Sequence, residues 1–215
     1  MSRGLILFSA FALLSRAAAP ADQVIDSVQQ HYNSARTISV NFTESYSVDG
    51  HQRPPEAGKL TLRKQGKMRW DYTEPAGKVF VSDGKTVFLY TAGYNKVEKV
   101  PLKDTEDMRA PLAFLLGHLD LRKEFRDITV NPAGTSWWLD AKAKNDRTPF
   151  GGIQMLVAPG GKVSQLKVLG RDETMLSFAF SQEQLNPVVN DALFHFVIPP
   201  GAEVVNAVEY TGQDQ

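Results

Sequence analysis

The side chains best suited to moving a proton or holding a metal near neutral pH are four histidines, His31, His51, His118 and His195. They stand far apart, in neither the His-x-x-x-His nor the His-Glu-x-x-His spacing that brings two imidazoles onto one helix face. Each reads as an ordinary surface or core histidine. No Gly-x-Ser-x-Gly elbow is present to present a serine nucleophile. The pairs Gly151-Gly152 and Gly160-Gly161 lack the Lys-Ser/Thr of a phosphate loop and read as turns. Glu106-Asp107 and Asp172-Glu173 sit in charged stretches and read as solvated surface. The chain has no cysteine, which removes disulfides, thiolate nucleophiles, Cys-ligated zinc and thioether lipids together. The expectation is a protein that is not an enzyme and needs no metal or cofactor. An alternative stays open, a lipid-active enzyme whose catalytic groups converge only in three dimensions.

What the sequence does concentrate is apolar bulk. Phe42, Leu60, Leu62, Met68, Trp70, Tyr72, Phe80, Phe88 and Tyr90 fall where neighbouring strands would stack them on the concave side of a sheet. Pro111, Leu112, Phe114, Leu115 and Leu116 form a short apolar segment able to cover them. Such a set can seal an ordinary core, or it can line a space that a large barrel leaves unfilled. Adaptable Met and Phe walls suit flexible acyl chains, each methylene gaining about 0.8 kcal/mol on leaving water.

These residues need elements to hold them. Val24, Ile25, Val28 and Tyr32 recur at helical spacing, with Asp22 placed to cap a short helix. The period then changes to two through Ile38, Val40 and Phe42, and a bulge is expected before Tyr46 and Val48. Strands follow over Gly58 to Lys64 and Met68 to Tyr72, joined at Gln65-Gly66, and over Val79 to Val81 and Thr86 to Tyr90, turned at Asp83-Gly84. Helical spacing returns between Asp104 and Phe125. Further strands are expected at Ile128 to Asn131, Ser136 to Ala141, Ile153 to Ala158, Lys162 to Leu169, Thr174 to Ser181 and Leu193 to Ile198. About eleven short strands joined mostly by tight turns predict a mainly β fold, one antiparallel sheet curled into a barrel or half-barrel.

In the 215 residues, Lys and Arg number 24 and Asp and Glu number 24, so no basic field is available for a nucleic acid. The first residues read as a leader: Arg3, an apolar run from Gly4 to Leu14 too short to span a bilayer, and small residues around Ala17 to Ala21. Cleavage after Ala17 or after Ala21 would satisfy the small-residue rule, and the second is preferred. Residues 1–21 are thus expected to be a signal peptide and residues 22–215 a single exported domain.

The ordered set Gly58-x-Leu60, Met68-Arg69-Trp70-Asp71-Tyr72-Thr73-Glu74-Pro75 and Val81-Ser82-Asp83-Gly84-Lys85-x-Val87-Phe88-x-Tyr90 resembles the periplasmic outer-membrane lipoprotein carrier family, LolA. Phe42-Thr43-Glu44, the Pro111 to Leu116 segment and Phe194-x-Phe196-x-Ile198-Pro199 fall in the family's order too. The resemblance implies an unclosed half-barrel with a helical lid, Pro111 to Leu116, over a cavity that carries lipoprotein acyl chains through the periplasm. It implies an inner-membrane ABC transporter as donor and an outer-membrane receptor lipoprotein as acceptor, and the carrier itself is expected to be a monomer. Where the family often has Arg-Pro ending the Gly-x-Leu strand, tied to lid closure, this chain has Arg63-Lys64-Gln65. Arg63 and Lys64 are the residues left to serve as a lid latch, and Lys64 keeps the charge without the planar fork of Arg.

Overall fold

Apolar side chains alternate along most strands, so one face of the sheet is buried and the sheet must curl to bury it against itself. The computed structural model describes residues 21–104, 119–146 and 150–206. Helix α1 (Ala21–Ser34) opens the chain, and β1 (Thr37–Val48) follows it. A short β2 (His51–Gln52) folds back on β1, and then a meander runs outward from β1. Its strands are β3 (Glu56–Arg63), β4 (Lys67–Glu74), β5 (Ala76–Asp83), β6 (Thr86–Thr91) and β7 (Lys96–Pro101). After the one-turn α2 (Leu121–Glu124), a second meander comprises β8 (Phe125–Ala133), β9 (Ser136–Ala143), β10 (Phe150–Val157), β11 (Val163–Gly170) and β12 (Met175–Leu185).

With a last short strand β13 (Glu203–Asn206), the strand order is β13-β7-β6-β5-β4-β3-β1-β12-β11-β10-β9-β8. Strand β12 returns to pair with β1, while β8 and β13 are edges that do not pair with each other. The fold is therefore mainly β, one unclosed curled sheet. The curl is measurable: Trp70 on β4 and Phe178 on β12 are three strands apart, roughly 14 Å in a flat sheet, yet their rings lie 5.4 Å apart.

Helix α1 buries Val24, Ile25, Val28 and Tyr32 in the same core as Leu139, Met155, Val157 and Leu166 of the second meander. Its fit depends on Gly161, in the turn between β10 and β11. A Cβ there would stand 2.1 Å from the Ser27 carbonyl oxygen, and its φ of +86° already favours glycine.

Several expectations are corrected. Asp22 lies inside the first turn of α1 and not at its cap, pairing with Arg122. The expected bulge before Tyr46 is absent: β1 pairs with β12 without a break from Asn41 to Ser47, and Glu44 takes an inward position between Phe42 and Tyr46. The irregularity lies on β12, where Ser39 faces Gln184 but Asn41 faces Ser181 and Gln182 has a φ of +53°. Strand β7 was not foreseen. Leu193 to Ile198 is not a strand: Asp191–Phe194 is a single 3-10 turn, and His195 to Ile198 run on outside the ladder as an extended strap. Its alternating apolar residues mimic a strand because extended chain shares the period of two.

Candidate functional site

Cross-strand pairing sorts the candidate residues by face. Ile38, Leu62 and Met68 align across β1, β3 and β4 at one level, and Val40, Leu60 and Trp70 at the next. Phe42, Gly58 and Tyr72 follow, and then Glu44 and Glu56. Phe80 joins this face through its pairing with Trp70. Phe42, Leu60, Leu62, Met68, Trp70, Tyr72 and Phe80 thus meet in one buried cluster, none more than 5% exposed. Gly58 makes the aromatic part of it: a Cβ there would lie 2.1 Å from the Asp71 carbonyl oxygen, and without one the rings of Phe42 and Tyr72 meet over it at 5.1 Å.

Phe88 and Tyr90 are placed elsewhere. Phe88 pairs with Val81 and Tyr90 with Val79, on the outer face, whereas Val87 and Leu89 point inward. Phe88 stacks on Phe196 at 5.4 Å, and Tyr90 lies 6.1 Å from the same ring. The strap that carries Phe194 and Phe196 crosses this outer face. It is tied there by Arg69, whose Nη1 donates to the Leu193 carbonyl, and by a fully buried Phe194. The expectation that both residues line the concave side is corrected, because the strap gives β6 a second apolar face.

The covering segment, Pro111 to Leu116, lies outside the described residues. Its downstream flank is held firmly by α1. Asn33 donates to the Leu119 carbonyl at 2.8 Å and accepts from the Leu119 amide at 2.7 Å, and Gln29 accepts from the Leu121 amide at 2.8 Å. Arg122 reaches Asp22 and Asp26, whose hydrogen bonds push its already high pKa further up.

Arg63 and Lys64 point to a groove of about 760 Å³ that Arg36, Lys67 and Val188 also line. Arg63 pairs with Asp191 of the strap at 2.9 Å, and Lys64 donates to the Asn33 carbonyl at the end of α1. The hydrogen bond from Lys67 and the charge of Arg63 hold the Asp191 carboxyl below the usual carboxylate range.

Polar residues that sequence reasoning passed over lie on the inner face. Tyr72 Oη donates to buried Glu44 at 2.9 Å. Lys78 pairs with Glu56, and its Nζ stands 4.3 Å from the Tyr72 ring centre. The parity of Glu44 with Phe42 was the signal that could have found it. Beside α1, the β12 irregularity turns Glu183 toward His31 Nε2, 2.9 Å away, and toward Tyr32, whose hydroxyl donates to it at 3.2 Å. Burial first, and the Glu183 charge second, push the Tyr32 hydroxyl pKa far up. That hydroxyl also accepts from the Val163 amide, which opposes the rise without reversing it. No helix among the described residues is long and apolar enough to cross a membrane.

An unclosed curled sheet with a largely apolar inner face places the molecule among half-barrel proteins. A conserved protein of Thermus thermophilus shares the fold, with a TM-score of 0.50, 14% identity and cover of 86% of this chain and 98% of that one. Residues 33–197 match the family described as outer membrane lipoprotein carrier protein LolA, and the chain belongs to that family. An outer-membrane lipoprotein carrier protein of Methylobacillus flagellatus is 27% identical over 182 residues, 84% of this chain and 88% of the relative. One of Chromobacterium violaceum is 27% identical over 202 residues, 93% and 96% of the two chains.

Proposed function

We propose that this protein holds the acyl chains of lipoproteins against its inner face and carries them through the periplasm from inner to outer membrane. Membership of the family, expressed in a curled sheet whose two edges stay apart, carries the reading. An open seam lets the wall yield to a bulky guest, and the Met68, Phe42 and Phe80 side chains offer an adaptable apolar lining. Residues 1–21 serve as the export signal, an inner-membrane ABC transporter as donor and an outer-membrane receptor lipoprotein as acceptor. Pro111 to Leu116 act as the movable cover, and no covalent step is involved. Delipidated protein mixed with purified lipoprotein should give a soluble one-to-one complex with chemically intact cargo. Cleaved acyl esters would turn the reading to an enzyme, and failure to solubilise lipoprotein would overturn it.

A further inference from the structure

The inner face changes character along its strands. At one end lie Ile38, Leu62 and Met68; at the other, Glu44, Glu56 and Lys78, with Tyr72 bridging toward Glu44. Trp70 sits between the apolar and the polar levels, packed edge-on to Phe42 at 4.8 Å and against Phe178 at 5.4 Å. It is fully buried, and its indole Nε1 is the one buried side-chain polar atom without a hydrogen-bond partner among the described residues. Indole N–H is a donor only, and native interiors pair nearly all such groups. A phenylalanine would fill the same wall without leaving a buried donor unmatched.

We infer that Trp70 Nε1–H is a ligand-recognition donor, reserved for the carbonyl oxygen of an ester- or amide-linked acyl chain. This rests on the acyl-holding reading and adds polar selectivity to it. The hydrocarbon of the guest lies on the Met68 side, and its linkage points toward Tyr72 and Lys78. A neutral carbonyl fits better than a free carboxylate, because buried Glu44, which accepts from Tyr72, and Glu56 already place carboxyl groups at that end.

The test uses delipidated full-length protein, wild type and Trp70→Phe, titrated calorimetrically with methyl palmitate and with hexadecane. The ratio of the two affinities should fall about tenfold in the variant, the effect expected of one buried hydrogen bond. A second measurement needs no variant protein in the binding step. In the 15N spectrum of the wild type, the Trp70 indole proton should move downfield with methyl palmitate and not with hexadecane. An unchanged affinity ratio, or an indole signal that answers both probes alike, would overturn the donor role while leaving the carrier reading intact. A wild-type protein that binds neither probe overturns the carrier reading, and this inference with it.

Discussion

Met68 has no exposed surface and stands in the same layer as Ile38 and Leu62, so its thioether is surrounded by neighbours that relax little when it is removed. Met68→Ala should therefore cost about 2–5 kcal/mol of folding stability, read from the urea midpoint at an unchanged slope. A change below about 1 kcal/mol would mean that this part of the wall is already loose. The inner face was legible at this scale because strand parity is strict: Leu60, Leu62, Met68, Trp70 and Tyr72 needed only the period of two. Phe88 and Tyr90 were not, because β6 is apolar on both faces and parity cannot say which face is inside. Glu44 was hidden for the opposite reason, a charged residue at an inward position that burial patterns alone assign outward.

Helix α1 does more than cover the sheet, because its polar face grips the chain just beyond the segment expected to move. The Asn33 side-chain amide satisfies both backbone groups of Leu119 at once. Asn33→Ala should leave that amide and carbonyl unpaired, cost about 1–3 kcal/mol, and raise hydrogen exchange at Leu119 and Leu121 above that of the β3 and β4 amides. If exchange rises uniformly, α1 is merely a structural cap and the clasp has no separate role. Helix α1 and the β3–β4 and β5–β6 hairpins were readable from periodicity and from Gln65-Gly66 and Asp83-Gly84. Strand β7 was not, because Val97 and Val100 are its apolar pair and their odd spacing puts them on opposite faces among Lys96, Glu98 and Lys99. A four-residue parallel edge such as β13 carries too little pattern to announce itself.

At the scale of the molecule, the number of strands predicted a curled sheet, but the open seam between β8 and β13 followed only from family resemblance, since edge and closed strands read alike in sequence. The crossing of the strap over the outer face was equally hidden, and it runs from Arg63 and Lys67 on β3 and β4 to Phe88 and Tyr90 on β6. Asp191 fastens it, between Arg63 and Lys67 at 2.9 and 3.0 Å. His195, the other nearby titratable group, adds a weaker attraction. Because the folded carboxyl titrates below its unfolded value, its contribution is complete above the ordinary carboxylate pKa of about 3.9 and is lost as pH falls through the lower, folded value. Stability of the wild type should accordingly drop more steeply than that of Asp191→Asn between about pH 5 and the acid limit, both in roughly 0.1 M salt. Denaturant unfolding at stepped pH, followed by strand circular dichroism, reads this difference, and the two curves should converge at the lowest pH. Curves that stay parallel throughout would show that the strap is held by Phe194, Phe196 and the Arg69–Leu193 hydrogen bond, with the Asp191 pairs screened to no effect.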